Sequence, residues 1–142
     1  MNSDLKNARI LLDTQDVTCA VCRGDRSYTA TERGVKPLLN WLDAGFELAG
    51  FSAADRVVGR ATAFLYVLLG VREVYARVIS RPAVEVLQSH GIAASTDCLV
   101  DGIINRKCTG PCPFEAAVMD IADASGALAA IRKKMEQMQK GN

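Results

Sequence analysis

Between Ser3 and about Gln15 the apolar residues Leu5, Ala8, Leu11 and Leu12 return at helical spacing, and Ser3 or Asp4 stands where a first turn needs its cap. The pattern predicts a surface helix. Two short stretches rich in β-branched and aromatic residues, Val17 to Val21 and Tyr28 to Thr31, then flank Gly24-Asp25 and predict a hairpin. Gly34-Val35-Lys36-Pro37 opens a short helix through Trp41, where the missing N–H of Pro37 is not needed in the first turn. Gly45 and Gly50 bracket a loop. The longest helical pattern runs from Ser52 to Leu69, where Val57, Val58, Ala61, Phe64, Leu65, Leu68 and Leu69 cover most of the circumference and predict a largely buried helix. Gly59 inside it forgoes about 1 kcal/mol of propensity relative to alanine, which points to a strand or a ligand in close approach.

From Glu73 to Ile79 apolar residues stand on both faces of an alternating pattern, as in a strand covered from two sides. Ser80 can cap the following helix, with Arg81 and Pro82 in its first turn and Gly91 as its terminating residue. Another strand is expected within Ala93 to Ile104, then a loop from Asn105 to Pro111, and helices from about Pro113 to Ile121 and from Ser125 to Gln139. The order α-β-β-α-α-β-α-β-α-α predicts an α/β fold with a mixed sheet and helices on both faces. No internal repeat stands out, and the charged stretch from Arg132 to Lys140 reads as a solvated helix face.

With 142 residues, 49% of them hydrophobic, the chain has the size and the apolar content of one domain spanning 1–142. Lys plus Arg number 17 against 16 acidic residues, so no overall field favours a nucleic acid backbone or an anionic membrane. The opening residues are polar and of both signs, unlike a secretory signal, and the apolar run Ala61 to Val71 is shorter than the about 20 residues a membrane span needs. Five cysteines cannot all pair, and the expectation is reduced thiols in the cytoplasm. Arg23-Gly24-Asp25 is read as a turn and not as an adhesion tripeptide.

Three separated stretches carry a resemblance: Gly34-Val35-Lys36-Pro37-Leu38, Ala54-Asp55-Arg56-Val57-Val58-Gly59-Arg60-Ala61, and Asn105-Arg106 through Thr109-Gly110 to Cys112-Pro113-Phe114-Glu115. Together they resemble a prokaryotic domain-of-unknown-function family with a cytidine deaminase-like fold. The resemblance implies a three-layer α-β-α sandwich and brings no reaction with it. Cys108 stands where the family's loop usually has glycine, so any special chemistry of that thiol is not family-wide.

A zinc deaminase needs His or Cys two residues before Glu, and then Pro-Cys-x-x-Cys. His90 is followed by Gly91-Ile92, and none of Cys19, Cys22, Cys98, Cys108 and Cys112 has Glu two residues on. Pro111-Cys112-Pro113-Phe114-Glu115 carries Glu115 where the second thiolate belongs. The helix starts that the resemblance would assign to zinc lie near Ala54-Asp55 and Ser80-Arg81-Pro82, and neither supplies a thiolate or an imidazole. Cys19 and Cys22 do not repair the set, because strand residues three apart point to opposite faces. No metal and no cofactor are expected, and His90 reads as a helix C-terminal residue favoured by the macrodipole.

Two constellations remain. Cys112 at a helix start, with Pro113 at the first position and Glu115 at the third, is either a reactive thiol or a buried cap. Asn105-Arg106-Lys107-Cys108-Thr109-Gly110 joins cations, a hydroxyl and free N–H groups, as an anion site requires, or is a solvated basic loop. The ligand-binding candidates are thus Asn105, Arg106, Thr109, Gly110, Ser80 and Arg81, with Lys36 and Arg60 from the first two motifs; Cys112, Asp55 and Glu115 are the catalytic candidates. Three functional classes follow: a metal-free deaminase-like pocket for a small polar, nucleotide-like or phosphate-bearing ligand; a cysteine-dependent enzyme using Cys112; or an interaction domain with a vestigial pocket. Neither nucleic acid nor membrane is an expected partner, and a homo-oligomer is compatible with the sequence.

Overall fold

Strand-forming residues cluster in β1 (Cys19–Arg23), β2 (Arg26–Ala30), β3 (Ser52–Val58), β4 (Glu73–Ser80) and β5 (Ala93–Val100). Helices occupy α1 (Ser3–Thr14), α2 (Lys36–Asp43), α3 (Arg60–Leu69), α4 (Arg81–Ser89), α5 (Pro113–Val118) and α6 (Ala124–Lys140). The computed structural model describes residues 3–103 and 112–140. Its sheet has the order β2-β1-β3-β4-β5. The hairpin β1–β2 closes at Arg23↔Arg26 with Gly24 at φ 57°, a conformation the turn demands and glycine adopts freely. Strand β1 is antiparallel to β3, while β3, β4 and β5 run parallel. The mixed α/β architecture expected from the element order is therefore present.

The largest departure from expectation is the segment Ser52 to Leu69, read from periodicity as one helix. Its first part is instead the central strand β3, and the helix begins only at Arg60. Ser52, Ala53, Ala54 and Asp55 are all buried, because β1 and β4 flank the strand and helices cover both faces. A strand buried on both sides carries no polar alternation, and in Ser-Ala-Ala-Asp-Arg-Val-Val the adjacent Asp55 and Arg56 break any period of two, so the stretch reads equally well as the start of the helix that follows. Gly59 accordingly lies at the strand-to-helix junction as the N-cap of α3, with extended backbone, and not within a helix. The observed order is α-β-β-α-β-α-β-α-β-α-α.

Helix α1 covers one face, where Leu5, Ala8 and Leu12 pack with Cys22, Ala54 and Tyr75. The other face carries the larger core, in which Cys19, Ala53, Val74 and Ile79 meet Leu38, Phe64, Leu65, Leu87, Val118 and Ile131. Cys19 and Cys22 thus face opposite layers, as strand geometry requires. Burying side chains such as Phe51, Phe64 and Tyr66 stabilises by about 1.5–3 kcal/mol each. Ser80 caps α4 as anticipated, its Oγ accepting from Ala83 N at 3.2 Å, and Gly91 follows the helix at φ 74°. Helix α5 ends at Val118, short of the expected Ile121. Among the described residues no helix is long and apolar enough to cross a membrane.

Candidate functional site

The junction between β3 and α3 is built from two helices that cap each other. The first N–H groups of a helix have no partner within it. Here Glu115, in the first turn of α5, supplies one: its Oε2 accepts from Arg60 N at 2.8 Å and its Oε1 from Ala61 N at 3.1 Å. Arg60 answers in kind. Its Nε donates to Val118 O at 3.1 Å and its Nη2 to Ile121 O at 2.5 Å, satisfying carbonyls at and beyond the end of α5, while the guanidinium lies 5.0 Å from the Phe64 ring centre. A Cβ on Gly59 would sit 2.6 Å from Glu115 Cδ and 3.0 Å from Ile103 Cγ1. The close approach inferred for Gly59 is real, but what approaches is a carboxylate of the same chain. Burial raises the Glu115 pKa, a tendency the two N–H donors and the Arg60 charge oppose.

Beside this junction lies a cavity of about 340 Å³. Cys19 from β1, Asp55 from β3, Thr62 from α3, and Cys112 and Glu115 from the α5 segment line it. Val35, Pro37, Ile103 and Phe114 supply apolar wall, and exposed Arg33 with half-buried Glu32 also lines it. Such an enclosure at the carboxyl end of a parallel strand, mostly apolar with a few polar groups, is where α/β folds place ligands.

Asp55 is the most deeply buried carboxyl of this lining. It is only 8% exposed. Tyr66 donates its hydroxyl to Oδ2 at 2.6 Å, whereas Oδ1 is 3.4 Å from Val57 N, at the long end of hydrogen bonding. Burial pushes its pKa up to about 6 against the opposing pull of Tyr66, the local backbone N–H groups and Arg56. The carboxylate reacts on its neighbours. Burial first, and then the Asp55 charge, hold the Cys19 thiol and the Tyr66 hydroxyl in their neutral forms.

Asp55, Cys112 and Glu115 therefore share one cavity, although Glu115 has both oxygens engaged with backbone. Cys112 is half-buried and N-caps α5 without a side-chain capping bond. The other candidates lie apart. Lys36 borders a groove between α2 and α6, next to the Arg132–Asp43 ion pair at 2.7 Å. Arg60 is the structural clamp just described, Ser80 is buried as a cap, and Arg81 pairs with Asp101 at 2.8 Å. Asn105, Arg106, Thr109 and Gly110 lie outside the described residues. The helix starts after β3 and β4 are Gly59-Arg60 and Ser80-Arg81, so the first is displaced from Ala54-Asp55, and neither carries a thiolate or an imidazole. Among the described residues no cluster of three His, Cys, Asp or Glu side chains suits a metal ion. The donor set of a zinc deaminase does not fit this junction.

Residues 7–135 match the profile of a family described as TM1506, a domain of unknown function (DUF1893). The chain belongs to this DUF1893 family. A DUF1893 family protein of known crystal structure, from Thermotoga maritima, superposes on it with a TM-score of 0.83 over 96% of this chain and 92% of that one. The two are 23% identical, so the likeness carries the fold alone. No curated protein matches the sequence. In this DUF1893 chain Cys19, Thr62, Glu32 and Arg33 join the cavity from elements distant in sequence; Cys19 stood out only as a possible metal ligand with Cys22, and no local motif marked the other three. Thr62 stands within the apolar run Ala61 to Val71, where nothing in its neighbours in sequence marks it for a site.

Proposed function

We propose that this DUF1893 domain is a binding module that holds a small polar molecule in the Asp55 cavity, a pocket of cytidine deaminase type that works without a metal. What carries the reading is Asp55 itself, a buried carboxyl lining an otherwise largely apolar cavity at the carboxyl end of β3. Placing such a group there costs stability, and buried acids with raised pKa values concentrate at functional sites. The strand order, with a hairpin leading into three parallel strands, and the cavity beside the first turn of α3 support the deaminase-like comparison. Nucleoside-like ligands, which combine a flat apolar ring with polar edges, suit such a lining. A Cys112-dependent enzyme has weaker support, because Glu115 is already engaged by Arg60 and Ala61 and is not free as an acid or base.

Thermal unfolding of the purified protein against nucleosides, nucleotides and small polar metabolites tests the reading. A compound that binds only the folded state raises the melting temperature by mass action. The expected result is a rise for the wild type that Asp55→Asn removes, with slower alkylation of Cys112 in the bound state. Ligands that stabilise both proteins alike and leave Cys112 labelling unchanged would place binding elsewhere.

A further inference from the structure

We infer that the group the cavity takes against Asp55 is a small organic cation, its N–H donors on the carboxylate and a flat apolar body against Val35, Pro37, Ile103 and Phe114. The inference rests on the cavity being a binding site and adds the charge class of its ligand. Three carboxyl groups line the cavity, and their states differ. Glu32 is half-buried and accepts from Asn40 Nδ2 at 2.9 Å. Glu115 is balanced, with both oxygens on α3 N–H groups and the Arg60 guanidinium nearby. Asp55 is not. One oxygen has the Tyr66 hydroxyl, a neutral donor, and the other the long contact to Val57 N at 3.4 Å, with the backbone N–H of Arg56 also acting on the carboxyl, so its partners within the protein are a neutral hydroxyl and weakly placed backbone groups.

Position decides which charges count. Arg33 is exposed and screened by water and salt, whereas half-buried Arg56 turns its Nη2 to the exposed Asp16 at 3.3 Å, keeps its Nε buried without a partner among the described residues, and only partly offsets the Asp55 charge. The buried carboxylate is screened far less, and a donor-bearing cation that displaces water from it gains a charge-assisted hydrogen bond. An anion would meet the opposite. Two N–H groups at the start of α3, those of Arg60 and Ala61, which would serve an anion at this junction, are already taken by Glu115.

Three probes of one shape separate charge from fit: benzamidinium, neutral benzamide and benzoate. At a concentration tenfold above its dissociation constant, a ligand raises the melting temperature of a domain this size by about 5 °C. Benzamidinium is expected to do so with the wild type, to lose at least tenfold in affinity with Asp55→Asn, and to slow alkylation of Cys112 while leaving exposed Cys98 unaffected. Benzoate is expected to do none of these. If benzamidinium moves neither the melting curve nor Cys112 labelling, or binds Asp55→Asn as tightly as the wild type, the inference is overturned. Protection of Cys112 by benzamide or benzoate in that case would leave the cavity standing as a site for a different ligand class. The Asn variant retains an acceptor for Tyr66, and its own melting curve shows that it folds.

Discussion

Replacing Asp55 by Asn asks directly whether the fold carries an uncompensated charge. An acid whose folded pKa lies above its unfolded value is protonated more readily in the native state, so its contribution is present below the unfolded pKa and is lost as pH rises through the folded one. For Asp55 that window runs from 3.8 to about 6. A shift of about two units corresponds to roughly 3 kcal/mol of stability lost between low and neutral pH. Asn keeps an oxygen for the Tyr66 hydroxyl and removes the titration. It also turns an NH2 toward Val57 N, forfeiting a long hydrogen bond at about 1 kcal/mol. The variant should therefore be about 2 kcal/mol more stable than the wild type at pH 8. Over 142 residues this is a melting temperature higher by about 6–7 °C. Below pH 4 the order should reverse, with the wild type ahead by about 1 kcal/mol. Urea unfolding of both proteins from pH 3.5 to 8 isolates the effect, because Glu115 and other acids titrate equally in each and cancel in the difference. A difference that does not change with pH, or a variant that melts below the wild type at pH 8, refutes the claim that Asp55 is held against its solvation preference.

Three further outcomes follow from the same neighbourhood. Tyr66→Phe keeps the ring buried but removes the neutral donor to Asp55, and should destabilise by about 1–3 kcal/mol at pH 8 and by less at pH 4, where the carboxyl is protonated; chemical denaturation at the two pH values reads this. Gly59→Val forces a branched side chain onto Glu115 and Ile103, and a loss of about 2–4 kcal/mol is expected, smaller when combined with Glu115→Ala; an additive double-mutant cycle would show that the two do not touch. Native-state alkylation followed by peptide mapping should label Cys98 before Cys112, and should reach Cys19 and Cys22 only on unfolding, since both are buried with their thiols held protonated by desolvation. Rapid labelling of Cys19 in the folded protein would contradict the packing described.

Local signals were enough for much of the chain. The spacing of Leu5, Ala8 and Leu12, the Gly24 turn, the Ser80 cap and Gly91 after α4 each state a short-range preference, and a helix turn or hairpin is decided over a handful of residues. The absence of His or Cys beside a Glu likewise needed no fold to be seen. What the chain alone left open is where distant segments meet. Ser52 to Val58 is a strand because β1 and β4 lie on either side of it and helices cover both faces; without a period of two, nothing in Ser-Ala-Ala-Asp-Arg-Val-Val distinguishes that from the first turns of a helix. The same holds for the site. Glu115 and Asp55 stand out in sequence as candidate acids near expected helix starts, but only folding brings Glu115 across 55 positions to the N–H of Arg60 and sets Asp55, on strand β3, beside the Tyr66 hydroxyl. Propensity is a property of neighbours in sequence, whereas desolvation, and with it the chemistry of a carboxyl, is a property of neighbours in space.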